Sequence, residues 1–161
     1  MHPDRLARRW TLVGLVAGCL TVAATAAGSG AALPNACTLL TKAQPEKVFG
    51  HGRLLAVTQR KAQKFGTGAA ATLFCSEKVG RQPVSLSLSG SGGGFGGVRV
   101  ISQTHPAGLG VGDTLTVGTS PSGSPVDIIS FHRRGVFAVI TANGAAPAVL
   151  TVFARTVYKL L

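Results

Sequence analysis

Acidic side chains are what this sequence has least of: five Asp and Glu stand against sixteen Lys and Arg in 161 residues. Asp4 lies at the extreme N-terminus, which leaves Glu46, Glu77, Asp113 and Asp127. Four scattered carboxylates give paired-carboxylate hydrolysis little material. Aromatics are few too, with one Trp and one Tyr. The three mature His (His51, His105, His132) show no metal-ligand spacing, and no Gly-x-Ser-x-Gly elbow supports a Ser–His–Asp triad. Gly92-x-Gly94-x-x-Gly97 has the form of a dinucleotide fingerprint. That motif must open a helix, whereas Val98-Arg99-Val100-Ile101 favours extended structure. No Lys-Ser or Lys-Thr follows, which excludes a P-loop. The sequence therefore predicts no catalytic residues, no metal and no cofactor, and a protein that is not an enzyme.

What is present begins with an export segment. Residues 1–9 hold Arg5, Arg8 and Arg9 against Asp4, and no charge occurs from Trp10 to Ala27. A positive start, an apolar stretch and a small-residue exit are the pattern of a secretory signal peptide. Ala24-Thr25-Ala26 supplies the exit and predicts cleavage after Ala26. Residues 1–26 are then the signal, 27–35 a flexible lead-in and 36–161 a single domain. Two other fates compete with secretion. Val16-Ala17-Gly18-Cys19 resembles a bacterial lipobox that would lipidate Cys19, although the residues after Cys19 stay apolar. The 18 uncharged residues also reach the lower limit for an uncleaved anchor. Arg8-Arg9-Trp10 hints at a twin-arginine signal with poorly matching flanks. Each fate predicts an extracellular or envelope protein.

Cleavage would lower the formal charge from +11 to +9. A surface that basic attracts polyanions over long range. Outside a membrane these are anionic wall polymers and lipid headgroups; nucleic acid is not expected as a partner. Solubility alone is the blander account of the same charge. With Cys19 set aside, Cys37 and Cys75 are most simply one disulfide in an oxidising compartment. A metal site would want more Cys or His at ligand spacing, and a redox pair would want Cys-x-x-Cys.

Along the mature chain, Thr41 and Gln44 form a capping box, and Gly50 is a stop signal, predicting a short helix between them with Leu40, Val48 and Phe49 inward. Arg53–Thr58 reads as a strand and Gln59–Ala70 as a basic loop. Thr72–Lys78 is a strand, and Val84–Ser89 alternates strictly, as a half-buried strand with one wet face does. A Gly-rich segment at 90–97 and a brief strand or turn of helix at 98–102 precede the glycine corner at 108–113. Strands follow at 114–117, 126–132 and 136–141, the last two joined by Arg133-Arg134-Gly135. Pro147–Leu161 is an amphipathic helix, with Val149, Val152, Phe153, Val157 and Leu160 on one face. The fold class is α+β, an antiparallel meandering sheet covered by a short N-terminal helix and a C-terminal amphipathic helix.

Ala36-Cys37-Thr38-Leu39-Leu40-Thr41 through Val48-Phe49-Gly50, the later Cys75-Ser76, and the corner Gly108-Leu109-Gly110-Val111-Gly112-Asp113 carry a resemblance. They look like a domain of unknown function common among small exported actinobacterial proteins and lipoproteins. Two departures are Glu77, where an aromatic is usual, and the Gly-rich segment after Leu88. The resemblance implies a Cys37–Cys75 disulfide, an envelope location and, by analogy with PsbP-like sheets, binding rather than catalysis.

Two basic clusters remain, Arg60, Lys61 and Lys64 in one segment and His132, Arg133 and Arg134 in another. Brought to one end of the sheet they would form an anion-binding patch; two unrelated solvated turns are the plainer reading. Asp113 is expected to cap its glycine corner and Asp127 to pair with a basic neighbour. The sequence thus predicts a noncatalytic envelope module that binds an anionic or amphiphilic partner. The rival is an accessory protein docking on a membrane protein through its sheet.

Overall fold

A computed structural model of the chain describes residues 32–45, 57–67, 71–80, 82–92, 97–110 and 112–161. The export segment with Cys19, the residues Val48, Phe49 and His51, and most of the strand expected at 53–58 lie outside them. In chain order the elements are α1 (Ala36–Ala43), β1 (Val57–Phe65), β2 (Thr72–Val79), β3 (Gln82–Ser89), β4 (Arg99–Thr104), β5 (Thr114–Thr119), β6 (Pro125–Arg133), β7 (Val136–Ala142) and α2 (Pro147–Leu160). The strands form one sheet in the order β1-β2-β3-β7-β6-β5-β4, antiparallel at every junction. The expected α+β class with its two flanking helices is what the chain forms.

α1 begins earlier than the capping box predicts. Asn35 Oδ1 accepts from Cys37 N at 2.9 Å and Thr38 N at 3.1 Å, so Asn35 is the N-cap. Thr41 falls in the last turn instead, where its hydroxyl donates to Cys37 O at 2.7 Å. The helix stops at Gln44, which turns left-handed with φ 60°. Pro45 is the reason, because a proline disfavours the helical conformation of the residue before it. An eight-residue helix is marginal alone. It is held by burying Leu39 and Leu40 and by a disulfide from Cys37 to Cys75 of β2, with a Cα–Cα distance of 5.0 Å.

Both helices cover one face of the sheet. Alternate residues of β2, β3, β6 and β7 point at them: Cys75 and Val79, Leu86 and Leu88, Ile129 and Phe131, Ala138 and Ile140, all buried. α2 adds Leu150, Phe153, Ala154 and Val157. Each such large side chain contributes roughly 1.5–3 kcal/mol. Val152 and Leu160, expected inward, are instead 61 % and 41 % exposed. The inward stripe is centred on Leu150, Ala154 and Val157, a rotation that hydrophobicity alone does not specify. β1 also differs from expectation: the segment holding Arg60, Lys61 and Lys64 is an edge strand, not a loop. Cationic side chains on an edge discourage unwanted strand pairing.

Among the described residues, no helix lies on the opposite face. Over β5, β6 and β7 it holds a small apolar cluster of Val126, Ile128 and Val139, with Val98 and Phe137 packed against it. Val98 sits where the chain enters β4, and Gly118 makes room for it. A Cβ on Gly118 would lie 2.6 Å from Arg99 O and 2.7 Å from Val98 Cγ1. Gly118→Ala should therefore cost about 1–3 kcal/mol by forcing β4 away from β5, read from denaturant midpoints; an unchanged midpoint would show that this contact yields freely. Replacing both Cys37 and Cys75 by Ala opens the 38-residue loop and should remove about 4 kcal/mol. A loss below about 1 kcal/mol would mean that α1 is held by packing alone.

Candidate binding surface

Charge is sorted sharply between interior and surface. Glu77, Asp113 and Asp127 are 1 %, 2 % and 6 % exposed. Lys42, Lys64, Lys78, Arg99, Arg134, Arg155 and Lys159 are exposed, and Arg133 is half-buried. Among the described residues, every acid is inside and nearly every base is outside. The described side chains therefore present charge of one sign to solvent.

Each buried acid has its own support. Glu77 sits beneath α1, where Thr41 Oγ1 donates to its Oε1 at 3.2 Å. Asp113 Oδ1 accepts from His132 N at 3.3 Å, and its carbonyl lies 2.8 Å from His105 Nδ1. The Asp113 side chain thus joins the end of the glycine corner to β6, where a cap on the corner itself was expected. Its Oδ2 has no hydrogen-bond partner, and a Cβ on Gly110 would approach that oxygen to 3.2 Å. Gly110 also adopts φ +123°, a backbone conformation that favours glycine there. Asp127 takes a hydrogen bond from the Gly144 backbone N–H, not from the basic neighbour expected. Burial raises the pKa of both Asp113 and Asp127, opposed at Asp113 by the His132 N–H and the His132 charge, and at Asp127 by the Gly144 N–H.

The basic clusters fall as follows. Arg60 and Lys61 register opposite Glu77 and Ser76 of β2, and Lys64 opposite Leu73. Lys64 borders a cavity of about 210 Å³ that Asn35, Cys37, Leu73 and Phe74 also line. The pairings Phe65↔Thr72, Thr72↔Ser89 and Ser89↔Phe137 place Lys64 at the same end of the sheet as the β6–β7 turn. Three strand spacings of about 4.8 Å still separate β1 from β7. At that turn Arg134 and Gly135 take positive φ, 49° and 76°, as a tight hairpin requires.

Both turn arginines reach the end of α2. Arg133 Nη1 donates to Tyr158 O, and its guanidinium lies 4.4 Å from the centre of the Tyr158 ring. Arg134 Nη1 donates to Leu161 O at 3.1 Å. These cations satisfy the last carbonyls of a helix, where its dipole favours positive charge. His132 stays exposed, with its ring 4.6 Å from Phe137. Arg155 ties α2 to the glycine corner through Nε, 3.0 Å from Ala107 O. No sequence signal announces these arginine contacts, because they join segments more than twenty residues apart. The burial of Glu77 was legible: alternation places it on the same face of β2 as Cys75 and Val79.

Among the described residues, no three His, Cys, Asp or Glu gather as a metal site, and no helix is long and apolar enough to cross a membrane. No family model, curated protein or solved structure matches the chain.

The raised carboxyls have a signed consequence. A group whose pKa is higher folded than unfolded favours the native state most below its unfolded value, here 3.8, and loses that contribution as pH rises through the folded one. Asp113→Asn should remove part of that loss, so the variant's stability relative to the parent should rise as pH climbs above 3.8. Parallel pH profiles of the denaturation midpoint for the two proteins would refute it.

Proposed function

We propose that the domain is an exported, noncatalytic binding module whose partner is a polyanion of the cell envelope. The observation that carries this is the charge sorting: the three described acids are buried while seven bases stand in solvent. Among the described residues no acidic side chain dilutes that positive field, which attracts anionic polymers and orients their approach. The signal-peptide pattern and a cystine-joined core favour an oxidising, extracytoplasmic setting. In that setting wall polymers and anionic headgroups are the available polyanions. The resemblance to small exported actinobacterial domains and to PsbP-like sheets points the same way.

A second reading, an accessory protein docking on a membrane protein, is favoured by β4. This edge strand is exposed throughout, with Val100 and Ile101 at 57 % and 68 %. With Arg99 as its one charged residue, it offers an edge less cationic than β1 to another strand.

The two separate on salt. The polyanion reading expects binding to polyphosphate at 0.1 M salt that vanishes near 1 M, as the screening length falls from about 10 to about 3 Å. Lys42→Glu and Lys159→Glu should each weaken it, because both side chains are exposed. Arg133 and Arg134 are poorer probes, since reversing them strips the end of α2. Affinity that ignores both salt and these reversals would sink the polyanion reading.

A further inference from the structure

The helix-free face has a chemistry of its own. Directly paired residues share a face, so the register can be followed across the sheet. One row runs Phe65, Thr72, Ser89, Phe137, His132. The next runs Gln63, Phe74, Ser87, Val139, and a third contains Ser76, Ser85 and Thr141. Val98 closes this face only over β5 to β7. Across β2 and β3, Phe74, Ser76, Ser85 and Ser87 are half-buried and reach solvent in part, and Phe65 is 54 % exposed.

Two ring pairs flank this hydroxyl floor. Phe65 and Phe74 stand edge to face at 6.5 Å on β1 and β2, and His132 lies against Phe137 on β6 and β7. About 14 Å, three strand spacings, separates β1 from β7. Lys78, exposed, shares the face with Phe74 and Ser76.

We infer that this face binds an anionic polysaccharide. The inference rests on the polyanion reading and specifies its surface and polymer class. Serine and threonine hydroxyls both donate and accept, which matches the hydroxyls of a sugar. The weakly positive C–H faces of sugar rings lie on the negative faces of aromatic rings. Charged substituents on the polymer meet Lys78, His132 and the basic surroundings. A bare inorganic polyanion would use the charge but gain nothing from the rings. Across β1 to β3 an anionic bilayer would find Phe65 as its single strongly exposed apolar anchor among the described residues of this face, because the central floor is hydroxyl.

The test is titration of the disulfide-bonded protein with polygalacturonate, dextran and polyphosphate at one ionic strength, with anionic phospholipid vesicles in parallel. Polygalacturonate should bind about tenfold more tightly per charge than polyphosphate. Phe65→Ala and Ser87→Ala should each lower polygalacturonate affinity about two- to tenfold and leave polyphosphate unchanged. Circular dichroism and an intact disulfide verify that both variants fold. Equal affinity for the two polyanions, or equal losses for both in the variants, overturns the polysaccharide assignment and leaves the polyanion reading standing. Binding to vesicles but not to polygalacturonate overturns it in favour of lipid. Failure to bind any anionic probe overturns the polyanion reading itself.

Discussion

The pairing of β3 with β7 is the constraint on which this molecule depends. It joins two meanders, β1–β2–β3 and β4–β5–β6–β7, that are separate in sequence and would otherwise each be a small ribbon with an unburied apolar face. Once Leu86 lies opposite Ile140 and Leu88 opposite Ala138, a continuous apolar surface exists for α1 and α2 to cover. α1, too short to persist alone, is then fastened to β2 by the disulfide. α2 is fastened at its far end by Arg133 and Arg134 and at its flank by Arg155. Both described helices cover one face; on the other, among the described residues, Val98 packs over the cluster of β5 to β7.

Stability and surface character are linked through the acids. Burying Glu77, Asp113 and Asp127 costs desolvation, and the raised pKa values of the two aspartates express that cost. The same burial leaves no acidic side chain exposed among the described residues. A domain with those acids outside would be easier to fold and would present a neutralised surface. The basic residues divide in turn between two tasks. Arg133 and Arg134 serve the helix end, whereas Lys42, Lys64 and Lys159 project into solvent.

Several features were legible before any coordinates. Val84–Ser89 alternates, and it is a strand with Val84, Leu86 and Leu88 in the core and Ser85 and Ser87 on the open face. Cys37 and Cys75 were the natural pair. Other inferences from local pattern misled. Thr41 and Gln44 imitate a capping box, but Asn35 captures the helix start and Pro45 ends it. Gln59–Phe65 looked like a loop because it is polar; an edge strand with β2 as its single partner tolerates polarity along its length. Val152 and Leu160 fit a helical period, yet the sheet beneath α2 accepts a different stripe.

By itself, then, the sequence determined the class of fold, the cysteine framework, the export pattern and a strong excess of positive charge. Those follow from composition and from periodicities spanning a few residues. Only the tertiary structure decided which acids lose water, which arginines are committed to the end of α2, and which face keeps its hydroxyls and rings in solvent. Each of these depends on residues far apart in the chain meeting across the β3–β7 seam or under a helix. Burial and electrostatics are properties of that assembled neighbourhood, and no local window of sequence contains it.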